Sequence, residues 1–313
     1  MNEHTGRSLL PRTLQERLRQ GHFVMTAELV PPLSCEAGEL LDKAASLRGL
    51  ADAVNVTDGA GARAHMSALA GASLLLQAGI EPILQMTCRD MNRLALQSEM
   101  MGAAALGIRN LLLLSGDDPK TGDQPDTKPV FDVDSRTLID TARRLRDDGT
   151  LPTGRKVSGK AGFFIGAADM PVDPPEGWQP TSLAAKIQAG AQFAQTQFCM
   201  DVSIVRRYVA ALDKAGITGK LSLLIGVNPL RSAKSARWMK HHLYGTIIPD
   251  EFISRLEQAA DPAREGLRIC VELIEELSTI RGIAGVHIMA PGNDAAIPEA
   301  IKMARARVQR TAL

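Results

Sequence analysis

Aromatic side chains are scarce in this chain, with two Trp, two Tyr and seven Phe among 313 residues. A protein that stacks bases along a groove needs more flat side chains than that. An excess of one charge is missing too, since 36 Lys and Arg face 35 Asp and Glu. Such a balance builds no broad field toward polyanions, so neither nucleic acid nor a membrane surface is expected as a partner. No window reaches the roughly 20 apolar residues that a membrane span requires. The opening "MNEHTGRSLLPRTLQERLRQ" has no apolar stretch followed by small residues, and a cytoplasmic location is expected. Cysteine is sparse, and Cys35, Cys88, Cys199 and Cys270 lie far apart without paired spacing. That pattern excludes a disulfide framework or a zinc site and predicts buried thiols. His241 and His242 are adjacent, so on a helix they point about 100° apart and make no metal-binding pair. No GxGxxG follows the first strand, which argues against a dinucleotide fold of the doubly wound kind.

What the chain does have is apolar residues, 45% of the total, in short runs separated by amphipathic stretches. The runs predict eight strands, over residues 22–30, 52–57, 81–87, 110–115, 161–167, 191–198, 220–227 and 284–290. Helices are predicted over 36–48, 63–79, 91–106, 135–148, 181–189, 202–215, 231–242 and 294–308. "LLLQAGI", "AAALGI" and "ALDKAGI" end helices on a glycine just before the next strand. Repeated strand, helix, glycine, strand implies parallel strands joined by helical crossovers, because tight hairpins cannot connect parallel neighbours. Eight units in this length predict a (β/α)8 TIM barrel forming one domain over 1–313, with residues 1–20 as an N-terminal helical extension. Two segments depart from the pattern. Residues 116–134, "GDDPKTGDQPDTKPVFDVD", are too long for an ordinary loop and are read as a lid. Residues 249–281 are read as added outer helices.

In such a barrel the carboxyl ends of the strands form the active face. The unbroken run Leu111 to Leu114 is a strand buried on both faces, and Ser115, Gly116 and Asp117 lie just past its end. Glu28, Thr57, Asp58, Gln85, Thr87, Gln197 and Asn228 fall at or near the ends of other strands. These polar residues converge on one mouth. Each also has a plain structural use: a solvated strand-end acid for Glu28, a turn or cap for Asp117 and Asp118, a satisfied interior amide for Gln197, a surface lysine for Lys186. Pattern and spacing stop at a barrel with a polar mouth.

Six segments carry the reading further: "TAELVPP", "VNVTDGAGARAHMS", "GIEPILQMTCRD", "GIRNLLLLSGDDP", "KIQAGAQFAQTQFCMD" and "GVNPLRSAKSARWM". Together, and in order, they resemble the methylenetetrahydrofolate reductase family, particularly its short bacterial members. The resemblance implies a (β/α)8 barrel that holds a flavin at the strand ends and moves a hydride from NADH or NADPH to methylenetetrahydrofolate. It implies that Glu28 is the general acid that protonates N10 of the folate, and that Asp117 lies near the flavin pyrimidine edge. Gln197 matches the glutamine that meets folate and nicotinamide in turn. Thr57 and Lys186 match flavin contacts, and Gln85, Ser115 and Gly116 stand beside the flavin. Many members have histidine at Gln85, arginine at Ser115 and a tyrosine near Ala168. These departures leave FAD, FMN or a flavin-free variant open. Two other functions fit the same pattern: a pterin-binding methyltransferase, and a non-catalytic folate-binding subunit of a larger complex. A homo-oligomer is compatible with the sequence, which does not set the assembly.

Overall fold

The computed structural model describes residues 13–311. Each apolar run becomes a strand: β1 (Val24–Leu29), β2 (Ala53–Val56), β3 (Pro82–Thr87) and β4 (Asn110–Leu114). The second half supplies β5 (Phe164–Asp169), β6 (Phe193–Phe198), β7 (Ser222–Val227) and β8 (Ile283–Ile288). All neighbours pair in parallel, and β8 returns to β1 with Val24 opposite Gly285, closing an eight-stranded barrel. Successive side chains alternate between the barrel axis and the helical coat. Met25, Ala27, Val54, Val56, Leu84, Leu111 and Leu113 belong to the large outer core under the helices. Val24, Ala53, Ile83, Leu112, Phe164, Phe193 and Leu224 form a separate apolar plug inside the barrel.

Seven crossovers run through α2 (Ala37–Ala45), α3 (Ala68–Gln77), α4 (Arg93–Ala105), α5 (Ser135–Asp147), α6 (Thr181–Ala189), α7 (Val202–Lys214) and a long helix before β8. The helix predicted over 63–79 starts at Ala68, because Gly59 and Gly61 adopt left-handed backbone and open it with a separate tight turn over 60–62. The predicted extension over 1–20 is described only from residue 13. There α1 (Leu14–Arg19) does not extend away from the barrel: Leu14 is fully buried and joins the interior plug.

The region after β7 is organised differently from its helical periodicity. α8 (Ala233–His242) and α9 (Asp250–Gln258) pack on each other, while α10 (Pro262–Ser278) packs against α11 (Ala296–Thr311) and is the true crossover to β8. The outer helix predicted at 231–242 is therefore part of an excursion, and the crossover lies inside the segment read as added. α8, α9 and residues 243–249 share a second core with Phe198, Met200 and Met289. That core covers the carboxyl ends of β6 to β8, so the excursion forms one wall of the mouth.

Candidate active site

The alternation that buries Val24 on the axis also turns Thr26 and Glu28 inward at successive levels of β1. Asn55 and Thr57 do the same on β2, and Gln195 on β6. The middle level is a closed polar network. Asn55 and Gln195 exchange amide hydrogen bonds across the barrel, at 2.6 and 3.0 Å. Gln195 also donates to Thr26 Oγ1 at 3.0 Å, and Thr26 Oγ1 lies 3.0 Å from Nδ1 of His287 on β8. All four are buried, as the enclosed barrel axis demands of a network whose members satisfy one another. Glu28 sits one level above. Its side chain is 21% exposed, and its Oε2 lies 3.8 Å from His287 Nε2. Beside it, Thr57 Oγ1 is buried without a hydrogen-bond partner among the described residues.

The corner formed by β2, β3 and β4 is charged. Asp58 accepts from both the backbone N–H and the hydroxyl of Thr87, at 2.8 and 3.0 Å. Burial raises its carboxyl above the ordinary value, and these hydrogen bonds work against the rise. Arg89 lies buried under the loop after β2, where Nη1 donates to Gly59 O and the guanidinium grips Asp90 through two nitrogens. A Cβ on Gly59 would press on the Arg89 guanidinium, and Gly59 has φ +58°, so a larger residue there is strained and displaces Arg89. Asp117 is exposed, and its Oδ2 accepts from Gly61 N at 3.1 Å. It thus ties the loop after β4 to the loop after β2. Asp118 caps the turn Pro119–Thr121 by accepting from Lys120 N. Gly116 bends at φ +92° against Thr87, and Ser115 is exposed beside it. The segment read as a lid is docked on the exit of β3 by Val130 N to Arg89 O, Phe131 N to Cys88 O and the Arg93–Asp132 ion pair.

On the opposite side, Lys186 of α6 is half-buried and donates to Ala168 O at 2.6 Å, at the end of β5. Desolvation lowers its ammonium below the usual lysine range, with Asp169 pulling the other way. Asp169 itself takes a short hydrogen bond from the buried Tyr208 hydroxyl. Gln197 lies where β6 shifts register against β7, and its Nε2 donates to Tyr244 O, in the 243–249 loop, at 3.3 Å. The excursion after β7 therefore holds Gln197 at the rim.

Glu28, Thr57, Gln85, Ser115, Gly116, Lys186 and Gln197 thus ring one mouth, while the Asp117 carboxylate is turned toward the loop after β2. Gln85 is 8% exposed and makes no side-chain hydrogen bond among the described residues. Sequence reasoning passed over Asn55, Gln195, His287 and Arg89. Their signal was a polar residue two places before a polar strand end, as in Asn55 and Thr57, or Gln195 and Gln197. Cys88, Cys199 and Cys270 are buried as expected, with burial pushing their thiols up to about 11, 12 and 12; Cys35 is exposed. His241 and His242 are exposed, and His242 stacks on Trp238. Among the described residues no group of side chains is placed to hold a metal ion, and no helix is long and apolar enough to cross a membrane.

Comparison with known proteins concerns the chain as a whole. Residues 13–305 match the family model described as methylenetetrahydrofolate reductase. A probable methylenetetrahydrofolate reductase (NADPH) of Caenorhabditis elegans is 25% identical over 240 residues, covering 74% of this chain and 33% of that protein. Methylenetetrahydrofolate reductase 1 of Schizosaccharomyces pombe is 26% identical, covering 66% and 33%. The chain spans about a third of the length of these curated relatives. Among solved structures, an uncharacterized protein from Clostridium thermocellum that binds two copies of 5-methyl-5,6,7,8-tetrahydrofolic acid superposes with a TM-score of 0.65. At 13% identity, over 94% of this chain and 98% of that one, this likeness concerns the fold alone.

Proposed function

The chain belongs to the methylenetetrahydrofolate reductase family, and on that premise we propose that it is a flavin-dependent oxidoreductase interconverting 5,10-methylenetetrahydrofolate and 5-methyltetrahydrofolate with NADH or NADPH as hydride donor. The observation that carries this reading is the placement of Glu28: an inward carboxyl, partly open to the mouth, on top of a buried polar network. The reaction needs such a group. The methylene carbon of the substrate bridges two nitrogens, and the bond to N10 breaks only when that nitrogen receives a proton as it leaves. Glu28, inward and partly open to the mouth, is the acid this reading assigns to give it. The cation left on the methylene carbon and N5 then accepts a hydride, which makes the methyl group.

The residues around the mouth suit a flavin. The Thr57 hydroxyl is buried and lacks a partner among the described residues, and Gln85 has amide groups to offer. Thr57, Gln85, Ser115, Gly116, Asp117 and Lys186 would hold FAD or FMN, which when bound takes a hydride from the nicotinamide and passes it on. Gln197, fixed at the rim, would contact the folate and the nicotinamide in turn. Asp117 and the acids around Arg89 place negative charge at the corner of the mouth, where a cationic folate species is favoured.

The test is to purify the protein, release and identify any flavin, and mix the protein anaerobically with each nicotinamide and then with methylenetetrahydrofolate. The reading expects flavin-dependent oxidation of one nicotinamide and ping-pong kinetics. A protein that, reconstituted with either FAD or FMN, oxidises neither nicotinamide contradicts it. If it also transfers a methyl group from 5-methyltetrahydrofolate to a corrinoid or thiol, the methyltransferase reading takes its place.

A further inference from the structure

We propose that His287 is a positioning residue for Glu28, held by the buried network in the one tautomer that presents an N–H to the carboxyl. The inference rests on the functional reading above for its chemistry, but its geometry stands alone. His287 is 2% exposed and lies directly across from Thr26, its register partner on β1. Its Nδ1 meets Thr26 Oγ1 at 3.0 Å and Gln195 Nε2 at 3.3 Å. Gln195 Nε2 can only donate, and it already approaches Asn55 Oδ1 and Thr26 Oγ1 at 3.0 Å each. With Thr26 Oγ1 accepting from Gln195, its own hydrogen has two acceptors in reach, His287 Nδ1 at 3.0 Å and Val286 O at 3.3 Å, and the ring nitrogen is the nearer. A hydroxyl hydrogen whose nearer acceptor is Nδ1, and an amide nitrogen at 3.3 Å that cannot accept from a ring N–H, favour a lone pair on Nδ1. The ring proton is then on Nε2, which faces Glu28 Oε2.

The consequence concerns which carboxyl oxygen carries the proton. An N–H directed at Oε2 makes that oxygen the acceptor, so the acidic proton resides on Oε1 and is available to the substrate. The 3.8 Å separation is longer than a direct hydrogen bond, and catalytic contacts of this kind tighten when substrate closes the site. As the proton leaves, the contact becomes charge-assisted and strengthens. His287 therefore helps most when Glu28 becomes an anion. It touches neither folate nor flavin in this scheme and acts only through Glu28.

Two measurements test this, and the first needs no activity. Protein labelled with ¹⁵N-histidine gives long-range proton–nitrogen spectra that report the tautomer of each of the six histidines; the His287 signals are identified by their loss in His287→Gln. The proposal expects the neutral ring of His287 to carry its proton on Nε2, and Thr26→Val to weaken that preference. A ring protonated on Nδ1, or one exchanging freely between tautomers, overturns it. The second measurement is the folate half-reaction. His287→Leu should slow its rate constant by about 10- to 100-fold, a part of what general acid catalysis supplies, with the nicotinamide half-reaction unchanged. His287→Gln, which retains an N–H near the Nε2 position, should recover most of the loss. Equal loss in both variants, or equal loss in both half-reactions, shows a structural role only and overturns the proposal. If the wild-type protein performs no folate half-reaction, the reductase reading fails, and the tautomer result still decides the positioning claim.

Discussion

At the amino-terminal end of the barrel Glu81 is 7% exposed, and both its carboxyl oxygens accept hydrogen bonds, from Leu14 N and from Asn110 Nδ2. At the carboxyl end Thr57 is 3% exposed and its hydroxyl meets no partner among the described residues. The first end is closed by α1 and the stacked Phe164 and Phe193 rings, 4.8 Å apart, and the carboxyl there is satisfied within the fold, while Arg17 Nε on α1 is buried without a hydrogen-bond partner among the described residues. The second end has unmatched polar groups and an acid partly in solvent. A barrel needs its base to hold together, and it can leave its mouth unmatched only at a cost in stability that a ligand offsets. The contrast separates polar residues that maintain the fold from those that await a partner.

The largest expected effect is at the mouth. Glu28→Gln preserves shape and loses the proton, so the folate half-reaction should slow by about 10² to 10⁴. Nicotinamide oxidation should persist at the wild-type rate. Stopped-flow measurement of the two half-reactions separates these outcomes, and equal slowing of both would mean that Glu28 supports the fold as Glu81 does.

The next effect is at the base, and it appears as pH dependence. Burial pushes the Glu81 carboxyl from 4.5 to about 7, against hydrogen bonds from Asn110 and Leu14 and the nearby charges of Arg17 and Arg109. Because the folded chain holds this proton more tightly than the unfolded chain, the stabilisation is complete below the unfolded value and is lost as pH rises through about 7. The loss should amount to roughly 3 kcal/mol. Urea unfolding at about pH 5 and about pH 8 should show that fall in the wild type and a much flatter dependence in Glu81→Gln. An unchanged slope in the variant would remove Glu81 as its source.

The smallest effect sharpens the contrast most. Thr57→Val replaces a partnerless hydroxyl with a methyl of similar size, so the flavin-free protein should be unchanged or up to about 1 kcal/mol more stable. Flavin affinity should fall by about tenfold, the equivalent of one ordinary hydrogen bond. Unfolding and flavin titration of the same variant check both halves. A destabilised variant with unchanged affinity would place Thr57 with the structural polar groups.

How much of this was readable beforehand follows from distance along the chain. Strand positions were legible because each is a local run: Leu111 to Leu114 spells out β4, and the glycines before each strand mark its start. Glu28, Thr57 and Gln197 were legible as polar strand ends. The network beneath them was not, since Asn55 and Gln195 lie 140 residues apart, and Gln195 and His287 lie 92 apart. They become partners only when β8 closes on β1. The direction of Asp117 depends in the same way on Gly61, 56 residues earlier, in a left-handed turn. Helical periodicity likewise could not tell α8, in the excursion, from α10, in the crossover, because both are amphipathic and only packing distinguishes them.

The central claim is that folate meets the carboxyl end of the barrel, with its open mouth, and leaves the amino-terminal end alone. Amide hydrogen exchange with and without 5-methyltetrahydrofolate tests it directly, because protection reports where backbone opening is suppressed. The account predicts slower exchange after β1 and β2, around residues 28–30 and 57–62, and around Gln197 with the 243–249 loop that holds it. It predicts no change around Leu14, Glu81 and Asn110. Protection at those three positions, or none at the mouth under saturating folate, would contradict it.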